Sequence, residues 1–229
     1  MAKMAGTYKF QIIDSTLREG EQYQDAYFTT RHKIDIALAL DKFGVDFIEV
    51  TNPAASPRCM ADCATLCSLS LRKSKVVGHI RCHMNDAKAA IQAGLKHVNV
   101  MIGTSKHMQK FSHGKDMAQI TKEAIAVTEF LRSHGVEVRF SGEDAFRSDI
   151  KALVKLYQTM EASGVSRVGI PDTVGCATPD DVTRVVSAVR KAVSVNIETH
   201  FHNDTGCAIA NAYMAVKAGA THVDTTVLG

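Results

Sequence analysis

FGVDFIEV (43–50), AGLKHVNV (93–100), HGVEVRF (134–140), SGVSRVGI (163–170) and AGATHVDTTV (218–227) are five near-copies of one joint. Each leaves a helical pattern through a glycine, crosses one to three residues and enters a β-rich run. Gly44, Gly94, Gly135, Gly164 and Gly219 stand where a helix closes in the left-handed conformation that glycine adopts without strain. A joint repeated this often signals a repeated strand–helix unit. Such units build a parallel sheet, because parallel neighbours need a crossover between them.

Working outward from the joints, strands are expected at 10–16, 47–52, 75–80, 97–103, 137–143, 167–173, 196–202 and 222–228. Helices are expected at 30–43, 57–73, 84–93, 116–134, 148–163, 179–192 and 207–218. In the first helix Ile34, Ile36, Ala37, Leu38, Ala39 and Leu40 form a wide apolar face, leaving Arg31, Lys33, Asp35 and Asp41 for water. Eight strands and seven helices in 229 residues fit an α/β fold of the (β/α)8 TIM-barrel type, which typically takes about 250 residues. A doubly wound open sheet is the alternative, but no G-x-G-x-x-G follows the first strand. The whole chain, 1–229, reads as one catalytic barrel domain. With no eighth helix after the last strand, it reads as the front part of a longer protein.

Composition narrows the function. Apolar residues make up 45% and charged residues 22%, which excludes a disordered, collagen-like or coiled-coil chain. A net charge of +3 is too small and too evenly spread for nucleic acid. No apolar run approaches the roughly 20 residues of a membrane helix, and MAKMAGTYKF (1–10) lacks the apolar core of a secretory signal. A soluble intracellular protein is expected, so Cys59, Cys63, Cys67, Cys82, Cys176 and Cys207 read as free thiols. The first three recur every four residues, as a helix face using cysteine as a small hydrophobe would.

Barrel chemistry gathers at the C-terminal ends of the strands. On the seventh strand Glu198, His200 and His202 lie at i, i+2 and i+4 and so share the inward face. Two imidazoles on neighbouring steps can share a divalent cation, and Asn203 and Asp204 are expected to orient the rings. The first strand runs into DSTLREGEQ (14–22), where Glu19 supplies a third ligand and Arg18 a two-pronged carboxylate grip. Arg139, Ser141 and Glu143 alternate on the fifth strand, with His79 and Thr173 at two further strand ends. An arginine deep in the mouth calls for an anion. Taken singly, each of these residues reads equally as a satisfied polar group of the core. Together they suit a small dicarboxylate whose keto or hydroxyl oxygen meets a metal acting as Lewis acid.

DSTLREGEQ (14–22) and HFHNDTGCAIAN (200–211) resemble the signatures of the α-isopropylmalate and homocitrate synthase family, within the wider group of metal-dependent acyl-CoA lyases and synthases. GHIRCHM (78–84), IGTSK (102–106), FSHGKD (111–116), RFSGEDAFRSD (139–149) and DTVGC (172–176) most resemble its fungal homocitrate synthase branch. The resemblance covers nearly the whole chain. It implies a TIM barrel that performs a Claisen condensation of acetyl-CoA with 2-oxoglutarate, the entry to lysine synthesis through α-aminoadipate. Isopropylmalate or citramalate synthesis, or acyl-CoA lysis, is the alternative. It also implies a metal (zinc, magnesium or manganese) on Glu19, His200 and His202, with the 2-oxoacid end beside Arg18, Gln22 and Thr173. Arg139, Ser141 and His79 would hold the distal carboxylate. Arg18 and Glu143 are the candidate catalytic residues, and Glu198 a further substrate contact. His113, Lys106, Lys110 and Lys115 lie in the loop where acyl-CoA would pass. Family members continue into C-terminal domains that complete the acetyl-CoA site across a homodimer. Asn99, where lysine-sensitive relatives carry an acid, implies weak feedback inhibition. Pro171, common in isopropylmalate synthases, blurs the substrate reading.

Overall fold

The structure, a computed structural model, describes residues 7–227. Leu228, expected to end the eighth strand, and the opening residues 1–6 lie outside them. Eight parallel strands close on themselves: β1 (Gln11–Asp14), β2 (Phe47–Val50), β3 (Lys75–Arg81), β4 (His97–Gly103), β5 (Glu137–Glu143), β6 (Arg167–Asp172), β7 (Asn196–Phe201) and β8 (His222–Thr225). β8 pairs with β1, so the sheet has no edge. The expected barrel is therefore the observed one.

Helices α1 (Thr30–Phe43), α2 (Pro57–Cys67), α3 (Met84–Gln92), a single turn α4 (Lys106–Met108), α5 (Met117–Ser133), α6 (Ile150–Ala162), α7 (Pro179–Ala192) and α8 (Ala208–Ala218) surround it. The repeated joint works as its glycine predicts. Gly44 closes α1 at φ 101°, its N–H donating to the Leu40 carbonyl, and the chain enters β2 three residues later. Side chains with a Cβ are strained at that φ.

The main core lies between sheet and helices. Ile48, Val100, Phe140, Val168, Ile170 and Ile197 face outward from the strands against Ala37, Cys63, Ala90, Leu131, Leu153 and Val186, all buried in one cluster. The barrel interior is different. Ile13, Phe47 and Val77 form one small apolar cluster there, and above it the buried inward positions are Glu49, Asn99, Arg139, Ser141 and Glu198. A barrel filled by branched apolar side chains would be cheaper to fold.

Two expectations about helices change. Lys33 and Asp41 of α1 are buried, while Leu38 is exposed. Lys33 Nζ meets Asp62 and Glu21, each at 2.7 Å, and Asp41 accepts the backbone N–H groups of Arg72, Lys73 and Ser74. Both charges carry their partners into the interior. Helix α2 ends at Cys67 rather than residue 73, and the chain beyond it runs irregularly to residues 72–74, whose N–H groups Asp41 accepts. The six cysteines are free thiols, and burial pushes Cys63 up to about 12 and Cys67 up to about 11. No helix among the described residues is long and apolar enough to cross a membrane.

Candidate metal and substrate site

Past β1 the chain folds tightly on Ser15, whose carbonyl accepts the N–H groups of Arg18, Glu19 and Gly20. That turn swings the Glu19 carboxylate across the mouth toward the end of β7. There His200 Nε2 and His202 Nε2 lie 3.2 Å apart, with Glu19 oxygens 3.7 Å from the first and 4.0 Å from the second. Ligands about 2.0–2.2 Å from one cation sit roughly 3–3.5 Å from each other, so small side-chain adjustments would complete the set. All three donor atoms fall within 4.8 Å of one another.

The rings are presented in a form suited to ligation. His200 Nδ1 lies 3.0 Å from Asp224 Oδ2 on β8, which fixes the ring with Nε2 toward His202. Burial, then the charge of Arg18, pushes His200 down to about 3, so it is neutral. Asn203 and Asp204 do not take the orienting role expected of them. Asn203 Oδ1 accepts the N–H of Ala208 at the start of α8, and Asp204 is exposed and packs on Gly175. Asp224, two residues beyond His222 on the inward face of β8, does the orienting. The same alternation that picked out His200 and His202 marks it.

Between the strand ends lies a cavity of about 240 Å³, lined by Arg18, Glu19, Gln22, His79, Met101, Arg139, Ser141, Glu143, Pro171, Thr173, His200, His202 and Asp224. Ten of the eleven residues expected at the site therefore meet in one place. Glu198 does not. It is 1% exposed and lies beneath the cavity, with Arg139 Nη2 at 2.9 Å and Arg167 Nε at 2.9 Å. The anion that Arg139 calls for is thus supplied by the chain itself. Gly169 makes room for this pairing: a Cβ there would fall 2.4 Å from Arg139 Nη2.

Glu49, an inward acid on β2 that the sequence reading passed over, organises the other wall. Its carboxylate accepts from Ser15 Oγ at 2.6 Å and Arg18 Nε at 2.7 Å, and it lies 3.0 Å from His79 Nδ1 and 3.3 Å from Asn99 Nδ2. Burial opposes its charge, but Arg18 and His79 outweigh that and hold it well below the usual carboxylate range. Arg18 also pairs with Glu19. Thr173 Oγ1 accepts the N–H of Asp144.

Along the barrel axis four carboxylates (Glu19, Glu49, Glu198, Asp224) face three guanidiniums (Arg18, Arg139, Arg167). Burial answers the excess by pushing Glu198 up to about 7 and Asp224 up to about 6. A divalent cation on Glu19 would answer it directly and leave a net positive site, which suits an anionic substrate. Glu143 is likewise raised above the usual carboxylate range, by burial and by the charge of Asp144.

A second cavity of about 390 Å³ opens beside the first, lined by Arg81, Cys82, His83, Ile102, Gly103, Met108, Ser112, His113 and Lys115. Met101 and Glu143 line both cavities. Of the loop lysines, Lys115 borders this space and pairs with Glu123 at 2.5 Å, while Lys110 stacks on Phe111.

A closed (β/α)8 barrel whose strand ends bring two histidines and a carboxylate together defines a barrel with a candidate divalent-metal centre. Residues 9–229 match the HMGL-like family, and the chain belongs to it. It is 56% identical over 226 residues to the mitochondrial homocitrate synthase of Penicillium rubens, covering 99% of this chain and 48% of that one. It is 36% identical over 218 residues to the 2-isopropylmalate synthase of Methanocaldococcus jannaschii, covering 95% of this chain and 42% of that one. The chain spans about half the length of the curated relatives it matches. Among solved structures, the hydroxymethylglutaryl-CoA lyase of Pseudomonas aeruginosa superposes with a TM-score of 0.84 at 22% identity, over 97% of this chain and 77% of that one, a likeness of fold.

Proposed function

We propose that this barrel catalyses a Claisen condensation of acetyl-CoA with 2-oxoglutarate to give homocitrate. The observation that carries the reading is the cavity itself: a two-histidine, one-carboxylate cluster at its rim and Arg139, Ser141 and His79 at its depth. A metal-binding end and a cationic end in one cavity suit a 2-oxo dicarboxylate. The 56% identity to a homocitrate synthase, against 36% to a 2-isopropylmalate synthase, supports the same choice.

Glu19, His200 and His202 would hold zinc, magnesium or manganese, which would polarise the keto group as a Lewis acid. Arg18 then takes the substrate's 1-carboxylate. Its Nη1 is released once Glu19 turns from it, and Glu49 continues to brace its Nε. Gln22 and Thr173 complete that end of the cavity. Arg139, Ser141 and His79 receive the distal carboxylate, with Arg139 shared between substrate and its ion pair with Glu198.

Glu143 borders both cavities, so acetyl-CoA placed in the second brings its methyl group to this carboxylate. Glu143 accepts a methyl proton, and the resulting carbanion adds to the keto carbon, whose oxygen gains a proton. Water then cleaves the thioester, releasing coenzyme A and homocitrate. His113 and Lys115 flank the acyl-CoA side, and Lys115 meets its phosphates.

Calorimetric titration of 2-oxoglutarate and 2-oxoisovalerate against the manganese-loaded protein tests the assignment. Loss of one charged hydrogen-bond partner is worth about 1.5–3 kcal/mol, so 2-oxoglutarate binds roughly 10–100-fold tighter. Arg139→Met removes the difference. Equal affinities in the unaltered protein overturn the assignment.

A further inference from the structure

The N-terminal mouth of the barrel holds another charged cavity, of about 250 Å³, that the reaction does not use. Its inner wall is Arg167 of β6, 3% exposed. The Arg167 guanidinium lies over the Phe47 ring, 4.4 Å from its centroid, and its Nε is 2.9 Å from Glu198. Among the described residues no acceptor is hydrogen-bonded to its two terminal nitrogens. Lys75, at the rim on β3, sits 5.6 Å from the same ring centroid and makes no ion pair with a described residue.

The other charges of this mouth are matched. Lys73 pairs with Asp46 at 3.4 Å, and Glu137 accepts from Ser166 at 2.9 Å and meets His97 at 3.2 Å. His222 Nδ1 is taken by Thr221 at 2.8 Å, which leaves its Nε2. Two cations with unused donors therefore flank one cavity. A buried guanidinium with open donors is costly until an acceptor fills them, and its forked geometry fits an oxyanion with two oxygens. At about 30 Å³ per water the space also takes a phosphate or a small carboxylate.

We propose that this lower mouth is a binding site for a compact oxyanion, a phosphate or carboxylate group, gripped by Arg167 from within and Lys75 from the rim. The site also touches the upper end. Glu198 is shared between Arg167 and Arg139, so an anion on Arg167 shifts Glu198 toward Arg139, at the depth of the substrate cavity. The lower mouth is thus placed to act as an effector site.

Amide NMR of the full chain titrated with inorganic phosphate, and in parallel with acetate, tests this. Saturable shifts centred on Lys75, Ser166, Arg167 and His222 with either ion are expected, with a Kd raised about fivefold in Lys75→Met at low salt. Arg167→Lys, which keeps the charge but loses the fork, weakens binding further. If that variant does not fold, the exposed Lys75→Met still decides. Shifts centred on Arg18, Glu19 and Glu143, no saturation with either ion at tens of millimolar, or an unchanged Kd in Lys75→Met overturns the proposal.

Discussion

At the C-terminal mouth Glu19, His200 and His202 turn three donor atoms toward one point. At the N-terminal mouth the same residue types are present but dispersed. His97 and His222 each lie against Phe47, with ring centroids 5.9 Å from its own, and each is engaged locally, His97 by Glu137 and His222 by Thr221. Strand alternation sends polar side chains inward at both ends, so alternation alone does not build a metal centre. The turn on Ser15 makes the difference, because it carries a carboxylate from β1 across to β7. Among the described residues the lower mouth has no such turn, and its histidines stay apart.

The sharpest way to break this contrast is to exchange its parts. His202→Ala takes metal binding below the range measurable by chelator competition, whereas His222→Gln leaves it unchanged. His202 is 35% exposed, so the variant keeps its stability within about 1 kcal/mol. Loss of metal from both variants, or from neither, erases the distinction between the two mouths.

The second test falls on the layer between them. Glu198→Ala leaves Arg139 and Arg167 facing each other without a buried counter-charge, and unfolding in urea shows a loss of about 3–5 kcal/mol. A loss below about 1 kcal/mol means the two arginines are hydrated rather than paired.

A third concerns pH. Burial, then the charge of Arg167, pushes His222 down to about 4, against about 6.5 in an unfolded chain. Between those values the unfolded state binds the extra proton, so the His222 contribution to stability falls as pH drops from about 6.5 to 4, by about 3 kcal/mol at most, against the opposite contributions of the raised Glu198 and Asp224. His222→Gln flattens that slope. An unaltered slope assigns the titration to other groups.

The smallest effects separate Asp224 from Asn203. Asp224→Asn weakens metal about 10–100-fold. Asn203→Ala leaves metal affinity alone and costs about 1 kcal/mol of stability through the lost bond to Ala208. The reverse ranking restores the orienting role to Asn203.

These tests also mark how much was legible in the sequence. The glycine joints announced the barrel because a helix that ends in left-handed backbone needs glycine whatever its tertiary surroundings. Glu19, His200 and His202 were legible because motif and alternation are local. Glu49 was missed because its partners Ser15, Arg18, His79 and Asn99 come from three other segments, and a lone acid in FIEV carries no trace of them. Lys33 and Asp41 look solvent-facing in sequence for the same reason: the groups that make their burial tolerable, Glu21 and Asp62 for Lys33 and residues 72–74 for Asp41, lie on other segments. Glu198 was read correctly as inward but placed too high. Period-two alternation gives the face of a strand, and depth along the axis comes only from the registers of its neighbours.

Anomalous diffraction from crystals grown with manganese or zinc tests the central claim most directly. One strong peak about 2 Å from a Glu19 oxygen, His200 Nε2 and His202 Nε2 is expected. A bound ion located elsewhere, with Glu19 still paired to Arg18 and the two imidazoles bonded to each other, would contradict it.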